Sequence, residues 1–301
     1  MKSTTRVPPS LLRGRPLQNA TCPYCGVALD AKARTKEHVI GRRFVPKGST
    51  ANQWNLILWA CATCNRLKSD LEDDIAAITM HFHAAGLPAM SDPTAQVEAK
   101  RRGQKSGSRK TGKSVANSYA SFNSTAQLTP ALSMTVGFAA PPQIDNARTY
   151  ELARLQMLAF FYLLTYESNL NLGHWWPGEF MPIHGTIKSD WGNPVHCAFM
   201  KAVSSWDYRL VLNTANDYYR AAIRRHPTSE LWSWAVEWNK SYRLIGLLGD
   251  PSAAKAFARS LPHVPVHSIR EGPNSYLRFR HEEPLGEQED VLFHMPAEDD
   301  E

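Results

Sequence analysis

The stretch whose reading decides the fold opens with Cys22-Pro23-Tyr24-Cys25 and closes with Cys61-Ala62-Thr63-Cys64-Asn65-Arg66-Leu67-Lys68-Ser69. Between these ends lie Thr35-Lys36-Glu37-His38-Val39-Ile40 and Asn52-Gln53-Trp54-Asn55-Leu56. Two Cys-x-x-Cys pairs supply four soft thiolates, the donor set of a closed tetrahedral structural zinc site. The insert is longer than a minimal zinc ribbon needs, and it carries residues with chemistry of their own. Cys25-Gly26 reads as a knuckle turn, where glycine lets backbone amides point at the thiolates. Lys36 to Ile40 reads as a short strand with His38 near its end, and Asn52 to Trp59 as a loop entering a second, buried strand. Ala62 to about Ala77 reads as a helix, with Leu67, Leu71, Ile75 and Ile78 at helical spacing.

Taken in order, Cys-x-x-Cys, Glu-His, Asn and Cys-x-x-Cys-Asn-x-x-Lys resemble the HNH endonuclease family in its four-cysteine, zinc-stapled form with asparagine as the last letter. The resemblance covers roughly the first quarter of the chain. It implies a ββα-metal fold in which His38 is the general base, because a neutral imidazole can take the proton of an attacking water near pH 7. It makes Glu37 and Asn65 ligands of a catalytic Mg²⁺ or Mn²⁺, ions that favour hard oxygen donors. Asn55 takes the middle letter, which braces the loop bearing the base through amide bonds to backbone near His38, with Asn52 as its rival. Asn65 directly follows Cys64, so the zinc would fix the helix turn that presents it. Adjacent strand residues face opposite ways, so Glu37 and His38 can share a metal only if the strand ends or bends there; the alternative for Glu37 is a surface acid. Lys68, Arg42 and Arg43 are expected to meet the phosphate backbone, or else to be simply solvated. Family members often carry proline two or three residues after the histidine. Gly41 stands there instead, and a looser loop is expected.

Charge supports a polyanionic partner. Of the 28 acidic residues, nine lie in 281–301, which has no Lys or Arg, so the rest of the chain sets 34 basic residues against 19 acidic ones. A basic body of this kind suits nucleic acid. The hydrophobic content of 43% allows a sizeable core. The beginning Met1-Lys-Ser-Thr-Thr-Arg-Val has no apolar targeting stretch, and the longest apolar run, Met157 to Leu164, is too short to cross a bilayer. These features point to a cytoplasmic protein without a membrane partner. Cys197, left over from the two pairs, is expected as a small buried hydrophobe in a reducing compartment.

The chain divides into a basic arm over 1–20, the HNH domain over 21–90, a basic flexible linker over 91–143, a C-terminal α+β domain over 144–280 and a solvated acidic tail over 281–301. The fold class is therefore α+β. The linker reading rests on Lys100 to Lys113, with seven basic residues, many small polar ones and no aromatics. In the C-terminal region Leu152, Leu155, Ala159, Tyr162 and Tyr166 mark one face of a buried helix, and Tyr208 to Leu212 a strand. Trp232, Trp234, Val236 and Trp238, then Asn239-Lys240-Ser241 and an apolar run from Tyr242 to Leu248, mark a hairpin. Tryptophans on a strand face belong to a core, with stacking on unpaired bases as the alternative. His174, His184, Asp190 and His196 lack a ligand pattern and are expected as loop residues. The resulting expectation is an endonuclease that nicks or cuts DNA, in a setting such as bacterial anti-phage defence or restriction, whose second domain targets it or binds a protein partner. RNA is the alternative substrate. A zinc-stapled nucleic-acid-binding module without catalysis is the alternative class.

Overall fold

A computed structural model describes residues 17–84, 93–130, 132–140, 142, 144–176, 178–272, 275–279 and 281–294. The motif region folds as strand, strand, helix. Strands β1 (Arg34–His38) and β2 (Ile57–Cys61) pair antiparallel, with Glu37 opposite Leu58 and His38 opposite Ile57. Helix α1 (Ala62–Ala84) follows β2 without a break and runs further than its periodicity suggests. The chain is mixed α+β, with two helices before residue 106 and a five-stranded sheet in its second half.

Within 91–143, expected as a flexible linker, the described residues are instead folded. They form α2 (Pro93–Lys105), a 3-10 turn at Val115–Asn117, and a hairpin of β3 (Ala120–Thr129) and β4 (Leu132–Ala140). The reason is that several of the basic residues find acids, on α2 itself and on α1. Arg101 and Arg102 both bind Glu98, and Arg109 reaches Asp70 on α1 at 2.8 Å. Ala95 and Ala99 are buried, which gives a highly charged helix an apolar seam.

The second half is built on a sheet in the order β5-β9-β8-β7-β6. Its strands are β5 (Glu179–Ile187), β6 (Asp207–Thr214), β7 (Tyr219–Arg225), β8 (Leu231–Trp238) and β9 (Tyr242–Gly249). Asn239 and Lys240 turn β8 into β9 at positive φ of 54° and 55°, the left-handed geometry that suits a tight hairpin. Strand β9 is buried along its whole length, because the sheet is covered on both faces. One face meets α3 (Asn146–Leu164), whose first turn is capped by the Asp145 carboxylate accepting from Ala147 and Arg148. The other face meets α4 (Pro194–Val203) and α5 (Pro251–Ser260) through Phe199, Ala235, Ile245 and Ala254. A short hairpin of β10 (His267–Gly272) and β11 (Ser275–Phe279) follows.

The motif region and the sheet share one apolar cluster, which includes Phe44, Trp54 and Leu58 together with Phe160, Tyr219 and Trp238. Polar bonds join them as well: Thr214 Oγ1 donates to Trp54 O at 2.6 Å, and Asn239 Nδ2 to Phe44 O at 3.1 Å. The two halves therefore do not separate at residue 90 or 144. Trp234 and Trp238 belong to this core, as does part of Trp232.

The acidic stretch is not wholly solvated. Leu292 and Phe293 are buried against the far face of the sheet, Asp290 pairs with Arg243 at 2.6 Å, and Arg224 donates to the carbonyls of Val291 and Leu292. Two apolar residues set among acids suffice to dock it; 295–301 and the arm residues 1–16 lie outside the described residues. Residues 17–20 lie along β2, where the Asn19 side chain both donates to and accepts from the Trp59 backbone. Among the described residues no helix is long and apolar enough to cross a membrane.

Candidate metal centre and basic site

Cys22, Cys25, Cys61 and Cys64 place their sulfurs within 4.8 Å of one another, with Cys25 and Cys61 Sγ 3.8 Å apart. A tetrahedral zinc with Zn–S near 2.3 Å requires sulfur–sulfur edges of about 3.8 Å. The donor set therefore fits such an ion. The knuckle explains the spacing: Gly26 N donates to Cys22 O, Cys22 N to Val27 O, and Gly26 sits at φ 73°. Electrostatics point the same way. Burial pushes the Cys22 thiol up to about 11, and burial with the neighbouring sulfurs pushes Cys64 higher still. Burial alone would also raise Cys61, but hydrogen bonds from its neighbours leave it below an ordinary thiol. Four crowded sulfurs cannot all ionise without a cation among them, and a divalent ion removes that penalty. Trp175, from the second half, lies over Gly26 and donates from Nε1 to Tyr24 O at 2.9 Å.

Strand β1 sorts its side chains by alternation. Thr35 and Glu37 face α1; Arg34, Lys36 and His38 face the other way, across from Cys61, Trp59 and Ile57. The Arg34 guanidinium lies over the Trp59 ring at 4.2 Å. Lys36 is exposed, His38 half-buried, and Arg42 and Arg43 are exposed just beyond. Burial lowers the His38 pKa from 6.5, and the charges of Arg42, Lys36 and Lys68 lower it further. The imidazole is therefore neutral at pH 7 and sits in a positive field.

The inner face holds a different arrangement. Lys68 is 1% exposed, and its ammonium binds Glu37 Oε1 at 2.7 Å, Glu72 Oε1 at 2.5 Å and the His38 carbonyl at 3.1 Å. Tyr24 donates its hydroxyl to Glu37 at 3.3 Å. Burial would lower the Lys68 pKa, but Glu72 and Glu37 outweigh it and raise it. Burial raises the Glu72 carboxyl despite Lys68. Lys68, expected to meet phosphate, is instead an internal cation. It stands between Asn65 and Glu72 on the α1 face that packs against β1, so its tip cannot reach solvent.

Glu37 is likewise not open to a second ion. It is buried, points away from His38 and is committed to Lys68. The Asn65 amide donates to Thr35 Oγ1 at 2.9 Å and more weakly to Lys36 O. Glu37 and Asn65 lie on the same inner side, His38 on the other. As held here, this pair does not fit a catalytic Mg²⁺ or Mn²⁺. The physical reason is that the Glu37 carboxylate is buried against the Lys68 ammonium, and β alternation puts His38 on the opposite side of the strand from both.

Around the base the chain is tied at three residues, His38, Ile40 and Gly41. Lys68 holds the His38 carbonyl. Asn55 Oδ1 accepts from Ile40 N at 3.2 Å and its Nδ2 donates to Ile40 O at 2.7 Å. Glu72 accepts from Gly41 N at 3.2 Å. A Cβ on Gly41 would collide with the Glu72 carboxylate, so glycine here permits close contact and the loop is not loosened. Asn52 lies in the intervening turn at φ 59°. Glu72 and Tyr24 are the site residues that motif reading missed. Glu72 was findable as an i, i+4 partner of Lys68; Tyr24 lies inside the first cysteine pair, where attention goes to the sulfurs.

Of the four residues expected in loops, His174 lies in one, but the two histidines that follow it do not. His184 lies in β5 and His196 in α4, with ring centroids 5.3 Å apart, while Asp190 accepts from Thr186 and Asn193. Among the described residues the four cysteines form the one group of metal-ligating side chains. The Cys197 thiol, partly buried, donates to Gly192 O.

No protein-family model matches the chain, and no curated protein and no solved structure matches it either. The site must be read on its own geometry.

Proposed function

We propose that the chain is a zinc-stapled ββα nuclease that hydrolyses DNA phosphodiester bonds with His38 as general base. The observation that carries this reading is the outer face of β1. A histidine held neutral at pH 7 ends a row of Arg34 and Lys36, beside Arg42 and Arg43, on a hairpin clamped by four cysteines. The cations attract the phosphate backbone and offset charge building on phosphorus. His38 takes the proton of a water as its oxygen attacks phosphorus. The bond from phosphorus to one sugar oxygen breaks, and that oxygen takes a proton from solvent, leaving a phosphate monoester and a hydroxyl while the His38 imidazolium returns its proton to solvent. The backbone ties at His38, Ile40 and Gly41 keep the ring in place without reorganisation. No step is assigned to Mg²⁺ or Mn²⁺, because Glu37 and Asn65 do not offer an open oxygen pair.

That same commitment of Glu37 to Lys68 favours a second reading, a zinc-stapled module that binds DNA without cutting it. Supercoiled plasmid incubated with purified protein in EDTA, Mg²⁺ or Mn²⁺ separates the two. The nuclease reading expects nicked or linear product that His38→Ala abolishes while a gel-shift affinity stays within about threefold. Retained DNA binding with intact plasmid under all three conditions selects the binder. A parallel single-stranded RNA substrate tests the alternative polymer.

A further inference from the structure

The hairpin of β3 and β4 forms a sheet of its own, and among the described residues no third strand pairs with either edge. Residues 132–137 are exposed on both faces of β4, with Leu132, Met134 and Val136 at 56%, 49% and 38% exposure. Alternation places Met134 and Val136 on one face, and Thr135 on the other, where its hydroxyl meets that of Thr125 at 3.0 Å. Proteins ordinarily guard such edges with lysine, proline or a bulge. Neither strand contains a charged residue or a proline, and the one irregularity, between Gln127 and Thr129, lies next to the turn. A two-stranded ribbon with an uncovered apolar face is marginal in water on its own.

Charge identifies what covers it. In a chain of net charge +6, no residue from Ser114 to Ile144 carries a charge. A ribbon that followed phosphates would need cations. This one has none, so nucleic acid is a poor occupant, and an acidic or basic protein partner would find nothing to pair with. A neutral apolar face with free backbone edges is complementary to itself.

We propose that β3–β4 is the dimerisation element of the protein, pairing with the same hairpin of a second copy about a two-fold axis and burying Met134 and Val136 of both. Such an isologous contact uses one patch twice and closes on itself. It also puts two copies of the β1 site in one particle, the arrangement needed to meet both strands of a duplex.

The test is the mass of the full-length protein in solution by light scattering coupled to size exclusion, from about 1 to 100 μM. The proposal expects twice 33.8 kDa. The double variant Met134→Glu, Val136→Glu places four like charges at the shared face and should give the monomer mass over the same range. Both side chains are exposed, so circular dichroism and melting of the variant should match wild type. A wild-type mass of 33.8 kDa throughout, or a variant that stays dimeric, overturns the proposal. A monomeric wild type whose DNA affinity falls more than tenfold in the variant would also overturn it, by assigning the face to nucleic acid.

Discussion

Replacing Lys68 by methionine tests the inner face of the site most sharply, because phosphate contact and buried ion pairing predict opposite results. A surface lysine exchanged for methionine changes stability by less than about 0.5 kcal/mol. Here the side chain is 1% exposed and lies between two carboxylates that are 6% and 15% exposed. Removing it leaves Glu37 and Glu72 buried without their cation, at a cost of about 3–5 kcal/mol. For a chain of this size, a melting temperature moves about 2 °C per kcal/mol, so the variant should melt roughly 6–10 °C lower. A pH signature follows. Burial already holds Glu72 above the ordinary carboxyl value of 4.5, and loss of Lys68 raises it further. A carboxyl whose folded pKa is raised binds a proton in the folded state before the unfolded one as pH falls. Stability therefore increases as pH drops through the folded pKa, and the deficit of the variant should shrink between pH 8 and pH 5. Urea unfolding at both pH values, followed by tryptophan fluorescence, measures it. A deficit below about 1 kcal/mol, independent of pH, would show that Lys68 is not the internal cation described, and the account of the turn at His38 would fall with it.

Zinc removal and pH offer two further checks. Wild-type protein should carry about one zinc per chain by elemental analysis, and Cys61→Ser less than a tenth of that, with a lower melting temperature because structural zinc contributes folding free energy. Emission from Trp175, which covers the knuckle at Gly26, should change on chelation; a Cys61→Ser protein with full zinc and unchanged melting would remove the clamp. Cleavage should rise with pH only through a limb below 6.5, since the His38 pKa lies below that value. At least half of the imidazole is then already neutral at pH 6.5, so the rate should gain no more than about twofold above it. A limb centred above pH 7 would exclude His38 as the base.

Local pattern made much of the first ninety residues legible. The cysteine spacing implied a four-sulfur site, and the four sulfurs converge. Strand, strand and helix follow in order, and the β8–β9 hairpin could be read from its tryptophans and its Asn-Lys turn. The strands, helix and turns depend on residues a few positions apart, where turn chemistry and side-chain period dominate, and each cysteine pair is itself local although 36 positions separate Cys25 from Cys61. What failed depended on distant partners. Lys100 to Lys113 reads as a solvated run because its composition cannot bury much surface alone; Asp70 on α1, far along the chain, holds Arg109. The acidic stretch reads as a tail because its charges mask Leu292 and Phe293, which only the far face of the sheet can cover.

By itself the sequence determined that four thiolates meet, and that a histidine ends a short strand before a helix. Those features are set by spacing and by the two-residue repeat of a strand. Tertiary structure alone decided which way each side chain of that strand looks and what waits there. The same repeat that aligns His38 with Arg34 and Lys36 turns Glu37 inward, and a buried ammonium on α1, held also by Glu72, makes Glu37 an internal anion. No local rule places that ammonium, because its burial depends on carboxylates that only folding brings together.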